Sequence, residues 1–406
     1  QALEKGFPKK FGTAWAKNTT EKILPIAMEL KDGNILGGIS LSVQSLDPTT
    51  LKNIKRANIK FDKFSDLTET FRDNGIPTYT EIIIGLPGET LQSFKKGLET
   101  VAQTKVGTLL WGNCSVLPNA PMNIPEYREK FKIKTIRSPV KLRHVSMEYV
   151  KKQKIIEYEE IVYETSSYTF EELKQMTLYA WAFSTFQNLG IFEYFSNYYN
   201  QIHNLSFMSF YEIFFEYCNS EKSIFSKEVE IVMDHLNNGL SGKGWDHVEP
   251  EFGDINWPID EASWLRLVPD IEIFEKESIK FLEFLENKCN FETERNVLKD
   301  LVKFQGFLLT SRSHLEEIKV EKFLVDWKEF FGNNKDKIEQ IDKQYYFKNP
   351  VTEKDKVLWG CQAVFWGRRA RKYKVPSNKI YEDKPVVEIG SNIQEIKPAH
   401  SSNWDL

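Results

Sequence analysis

The sequence predicts an α/β chain: about four parallel strands forming half of a barrel or of an open sheet, then a mostly helical C-terminal region. Three observations predict it. Short β-branched or apolar runs alternate with amphipathic stretches over the first 116 residues, the pattern of βα units. From about Tyr168 that alternation gives way to continuous helical periodicity with aromatic faces. The length of 406 residues also exceeds what one hydrophobic core organises, which places a boundary near residue 150, with one region over 1–150 and a second over 151–406.

The first strand is read at residues 11–16 (FGTAWA), with a helix over 19–30 that Pro25 is expected to kink. Residues 38–44 (GISLSVQ) form the second strand. The next helix starts at Asp47-Pro48, where Asp caps free amides and Pro suits the first turn. A helix over 64–74 ends at Gly75-Ile76-Pro77, residues 78–84 (TYTEIII) form the third strand, and a helix over 91–104 leads to the fourth strand at 108–116. Residues 154–165 alternate as a strand leading out of this region. Helices are expected over 171–188, 192–203, 207–219, 227–238, 278–289, 292–310 and 321–331, with a long loop over 239–260.

Composition narrows the functional classes. Hydrophobic residues at 41% and charged residues at 28% describe a folded globular chain, and 29 Phe with 16 Tyr predict cores built from rings. A net charge of −4 supplies no broad field for nucleic acid, and no apolar run is long and clean enough to span a bilayer, so neither partner is expected. Four widely spaced cysteines make neither a disulfide framework nor a CxxC ligand motif, which points to a reducing cytoplasm.

Chemistry is expected where strands end, because parallel α/β folds bind ligands at the C-terminal ends of their strands. Gly85, Leu86, Pro87, Gly88 and Glu89, followed by Thr90, form a glycine-rich turn directly after the third strand. Two glycines permit close backbone approach to a ligand; a tight βα turn with no ligand is the other reading. On the second strand, two-residue periodicity places Ser40, Ser42 and Gln44 on the inner face. A hydroxyl and a carboxamide there suit the ribose and amino-acid groups of a nucleoside, and Arg56 suits a carboxylate; alternatively Ser45 and Asp47 only cap the next helix. Glu81 faces inward by the same parity, and Asn119 lies in the proline-rich segment Leu117-Pro118-Asn119-Ala120-Pro121-Met122 after the fourth strand. The segment from Gly242 to His247, with Asp254, is a second candidate for reaching the site; a surface loop is its alternative.

In order and spacing, three segments resemble the radical S-adenosylmethionine (SAM) superfamily, particularly its cobalamin-dependent members and the related methylthiotransferases. They are Gln44-Ser45 with Leu51 and Arg56, Glu81 with Gly85 to Thr90, and Leu117 to Met122. The resemblance covers about residues 8–150 and implies that the four strands are the third to sixth of a six-stranded partial (β/α)6 TIM-like barrel. It implies SAM bound by Ser42, Gln44, Ser45, Arg56, Glu81, Gly85 to Glu89 and Asn119, with Gly85 to Gly88 beside adenine. It further implies a [4Fe-4S] cluster and cobalamin in the intact protein, radical chemistry from reductive SAM cleavage, and methyl transfer to a small-molecule substrate. The family's CxxxCxxC appears nowhere in the chain, so the expectation is a fragment whose missing N-terminal region supplies the cluster and the first strands. By itself the chain is then expected to bind no cluster and cleave no SAM, and 5′-deoxyadenosine above a blank after iron-sulfur reconstitution would refute this. A non-catalytic α/β protein that binds a nucleotide or another protein through the same loops, and a methylthiotransferase, are the competing readings.

Overall fold

The structure is a computed structural model that describes residues 2–7, 11, 21–33, 35–36, 38–76, 78–104, 106–309, 311–313, 315, 318–349, 351–369 and 380–381. Its first half is built on a parallel sheet. Strand β1 (Ile39–Ser40) pairs with β2 (Thr78–Ile84), and β2 with β3 (Thr108–Asn113), all parallel. A parallel bridge between Phe11 and Leu36 adds a fourth chain segment at the outer edge. Of the expected strand at 11–16, residues 12–16 lie outside the described residues.

Local chemistry explains these elements. The run TYTEIII is rich in β-branched residues and bounded by Gly75-Ile76-Pro77 and Gly85, so β2 begins and ends where the punctuation dictates. Asp47 accepts from Thr50 N at 2.7 Å and starts the helix Pro48–Asn53. A capping box between Thr90 and Ser93 starts the helix Leu91–Gln103. Pro25 stands in the first turn of Leu24–Asp32 and opens that helix instead of kinking it, because the first turn needs no amide from it. Along β2, Thr80, Ile82 and Ile84 are buried while Tyr79, Glu81 and Ile83 are half-exposed. The buried set shares one apolar core with Leu41, Val43, Leu109 and with Phe94, Leu98 and Val101 of the covering helix. The opposite face therefore carries the polar side chains.

Beyond β3 the chain extends the sheet antiparallel. Ser115 bridges Ile161, so β5 (Tyr158–Glu164) lies beside the end of β3, and β4 (Lys134–Pro139) pairs antiparallel with β5. The helix Phe170–Ala182 follows, running into a π-helical turn at Phe183–Asn188 that packs against β3. Phe192 is the hub of the next core: its ring meets Phe186, Phe195, Phe210, Phe214, Phe225, Phe274 and Phe281 within 6.3 Å. These rings come from five separate helical segments, so aromatic stacking is what knits the helices together.

One expected helix is a strand. Residues 321–331 divide into the end of β6 (Ile318–Val325) and a short helix, Trp327–Gly332. Strand β6 pairs antiparallel with β7 (Gln340–Lys348), and β7 with β8 (Ile380–Tyr381). Phe323 and Val325 are buried while their neighbours Lys322 and Leu324 are less so, a two-residue period that the adjoining helical segment hides in sequence. No described helix is long and apolar enough to cross a membrane.

Candidate functional site

The inner face of the sheet carries a hydrogen-bonded polar ladder. Ser40 Oγ lies 2.6 Å from Ser42 Oγ, and Ser42 donates to Glu81 Oε2 at 2.8 Å. All three are half-exposed, as strand parity requires for the face not covered by helices. Glu81 pairs in register with Leu110, and Ile83 with Gly112. A Cβ added at Gly112 would meet no atom within 4 Å, so this part of the face lies open to a flat ligand.

Parity breaks at Gln44. Leu41 N donates to Tyr79 O and Gln44 N to Glu81 O, so a three-residue step on one strand faces a two-residue step on the other. One extra residue is accommodated by Gln44 adopting φ 58°, a left-handed conformation uncommon for a residue with a side chain. The expectation that Ser40, Ser42 and Gln44 alternate on one regular strand is thus corrected: Ser40 and Ser42 do, and Gln44 sits on a bulge at the strand's exit. Such strain concentrates at functional positions.

Arg56 reaches this exit from the turn after Pro48–Asn53. Its Nη2 donates to Ser42 O at 2.5 Å and its Nε to Asn58 Oδ1 at 2.8 Å, so backbone and amide hold it. Its Nη1 is buried without a partner, which leaves one charge-bearing donor unspent beside Ser42 and Glu81. Burial lowers the guanidinium's proton affinity and nearby Glu81 restores part of it. Asn58, which no motif flagged, donates to Val43 O and Ser45 O and fixes the bulge from below.

The glycine-rich turn stands at the end of β2. Gly85 and Gly88 adopt φ 91° and 99°, Pro87 precedes Gly88, and Glu89 N donates to Leu86 O, which together make a type II turn at Leu86 to Glu89. The dihedral at Gly88 favours glycine, and a Cβ there would sit 2.3 Å from Asn53 Nδ2 and displace that carboxamide. Leu86 is buried. Glu89, although expected at a ligand, is also buried: its carboxylate accepts from Ser45 Oγ at 2.5 Å and from Ser93 Oγ. Burial pushes that carboxyl upward while the two hydroxyls oppose the shift. Ser45 and Glu89 therefore tie the strand exit to the helix start, and their polar atoms are committed to each other.

Asn119 is exposed in the loop after β3, where Leu117 also projects into solvent. The loop Gly242 to His247 spends its side chains elsewhere. Trp245 is buried against His235, Asp246 accepts from Asn256, and His247 meets Glu249 and Arg266.

These residues fit one ligand class and reject another. A carboxylate, hydroxyls and an unspent guanidinium N–H beside a glycine turn match the amino-acid and nucleoside ends of SAM. An iron-sulfur cluster does not fit. Cys114, Cys218 and Cys361 are buried, Cys289 is half-buried, and no group of three metal-ligating side chains occurs among the described residues. Burial raises the Cys114 thiol to about 12, opposite to what a thiolate ligand needs.

Residues 18–101 match the Radical SAM superfamily. The cobalamin-dependent radical SAM methyltransferase TokK of Streptomyces tokunonensis is 26% identical over 81% of this chain and 50% of its own length. A 2-(S-pantetheinyl)-carbapenam-3-carboxylate methyltransferase of Streptantibioticus cattleyicolor is 25% identical over 80% of this chain and 49% of its own. The chain thus spans about half the length of these curated relatives. A probable threonylcarbamoyladenosine tRNA methylthiotransferase of Methanocaldococcus jannaschii is 34% identical, but over only 24% of the chain. Among solved structures, the radical SAM methyltransferase TsrM of Kitasatospora setae aligns over 25% of the chain at 21% identity and a TM-score of 0.22.

Proposed function

On the premise that this chain carries a radical SAM domain and is homologous to cobalamin-dependent radical SAM methyltransferases, we propose that it is the SAM-holding and substrate-closing part of such a methyltransferase acting on a small molecule. The observation that carries the proposal is the ladder Ser40, Ser42, Glu81 on the half-exposed face of parallel strands, with Arg56 bonded to Ser42 O and the Gly85 to Gly88 turn following the same strand as Glu81. Glu81 and Ser42 receive the ammonium and ribose hydroxyls, Arg56 meets the carboxylate, and the flat opening at Gly112 with the turn accommodates adenine. When bound, SAM supplies a methyl group or, on one-electron cleavage, a carbon radical; the protein supplies position and exclusion of water.

The thiolates for the cluster are not among this chain's residues, and cobalamin receives no ligand assignment here. Both are assigned to the rest of the protein. The aromatic-rich helical region from Phe170 onward is assigned to shaping the substrate pocket. Likeness to methyltransferases over four fifths of the chain, against a quarter for the tRNA-modifying relative, favours this reading over the methylthiotransferase one.

Titration calorimetry of the chain with S-adenosylhomocysteine tests the assignment. Wild type is expected to bind, and Glu81→Ala and Arg56→Ala to bind at least about tenfold more weakly, since each removes a charge-assisted contact. Unchanged affinity in both variants refutes the site.

A further inference from the structure

The glycine-rich turn is held in shape by side chains that no motif includes. Gly85 O accepts from Tyr168 Oη at 2.7 Å, Pro87 O accepts from Asn53 Nδ2 at 3.1 Å, and Gly88 N donates to Ser167 Oγ at 3.1 Å. With the turn's own bond from Glu89 N to Leu86 O, five polar backbone groups of one short loop are each tied down. Two of these three side chains come from the sequence Thr165-Ser166-Ser167-Tyr168, the connection between β5 and the helix Phe170–Ala182. That connection lies well outside residues 18–101 that match the superfamily.

The connection is itself rigid. Thr165 N donates to Tyr168 O, Thr165 Oγ1 lies 2.9 Å from Ser167 Oγ, Ser166 N donates to Phe131 O, and Thr169 with Glu172 forms a capping box on the helix. Tyr168 is 3% exposed, and burial raises its phenol well above its ordinary range, so it remains a neutral donor at every pH of interest. A Cβ at Gly85 would lie 3.0 Å from Tyr168 Oη and 3.1 Å from Leu173 Cδ1, which shows how closely the phenol and the helix press on the turn.

We infer that Tyr168 and Ser167 are positioning residues for the nucleoside: they fix the turn in its binding shape and couple it to the helical region that covers the substrate. The inference rests on the SAM reading above. Backbone that must hold two positive φ angles next to a ligand is disordered unless its surroundings over-determine it, and here the helical region provides that restraint. Losing the phenol leaves Gly85 O buried without its donor, and the turn relaxes into conformations that must be reordered on binding.

Calorimetry with S-adenosylhomocysteine is the test, on wild type, Tyr168→Phe, Ser167→Ala and the control Tyr163→Phe, whose ring packs on Phe170 nearby. Tyr168→Phe keeps the ring and its packing. The expected result is about tenfold weaker binding for Tyr168→Phe, a smaller loss for Ser167→Ala and wild-type affinity for Tyr163→Phe. Amide exchange at Gly88 and Glu89 should also quicken in Tyr168→Phe while the helix Leu91–Gln103 keeps its protection, a pattern that general destabilisation does not produce. Equal affinity of wild type and Tyr168→Phe overturns the positioning role and leaves the SAM reading standing. Absence of binding by folded wild type overturns both.

Discussion

Asp300→Ala is expected to destabilise the chain by about 4 kcal/mol, read as a shift in urea midpoint followed by tryptophan fluorescence, while Asp300→Asn costs about 1 kcal/mol. Asp300 is buried on the helix Arg295–Leu308, and its Oδ2 accepts from Leu324 N at 3.0 Å, Val325 N at 3.3 Å and Trp327 Nε1 at 2.9 Å. Burial raises its carboxyl, with those three donors pulling the other way. Alanine strands two backbone amides and a buried indole without an acceptor, each at about 1–3 kcal/mol. Asparagine keeps an oxygen in place, so the contrast between the two variants separates lost hydrogen bonds from lost charge. Equal losses in both would show that the charge carries the stability and would refute the account.

The same carboxylate explains why part of this fold is not legible in sequence. Residues 318–331 hold a strand and a short helix back to back, and either period fits a window that straddles them. What selects strand for Leu324 and Val325 is the ladder to β7 together with Asp300, all distant in sequence. By contrast β2 and the helices Pro48–Asn53 and Leu91–Gln103 are fixed by neighbours in the chain: β-branched runs, caps and glycine breaks. These elements were readable for that reason.

The candidate site divides along the same line. Ser42 and Glu81 follow from strand parity, because two residues on adjacent parallel strands that share a face are brought within hydrogen-bond reach by the ladder itself. The bulge at Gln44 does not follow, since it is defined by a register mismatch with β2 that neither strand shows alone. Ser45 and Glu89 were read as open to a ligand, yet the closeness of strand exit to helix start makes them partners. Asn58, Ser167 and Tyr168 carry no pattern at all; a strand followed by Ser-Ser-Tyr and a capping box marks where a helix begins, not that its first residues reach back to a turn 83 positions earlier.

Glu275→Gln is expected to stabilise the chain by about 1.5 kcal/mol at about pH 8 and to leave it unchanged at about pH 4. Glu275 lies on the helix Ile271–Cys289 with one carboxylate oxygen set against the backbone of Gly306, where an added Cβ would be 2.5 Å away. Burial raises its carboxyl to about 7, reinforced by Glu272 and Glu321 and opposed by Lys303 and Lys319. Lys303 is already paired with Glu321 at 2.6 Å, so it offers Glu275 only partial relief. A folded-state value above the ordinary 4.5 means that the folded chain binds the proton more tightly than the unfolded one. Stability then falls as pH rises from about 4.5 to about 7, and the cost is fully present above that range. At about 1.4 kcal/mol per tenfold in proton affinity the gap bounds the effect near 3 kcal/mol, and solvent screening over the exposed part of the side chain halves it. Glutamine mimics the neutral acid at every pH, so the variant's stability curve should lie above wild type at about pH 8 and converge with it by about pH 4. Parallel curves across that window would mean that Glu275 keeps its ordinary proton affinity and that its contact with Gly306 is open to water.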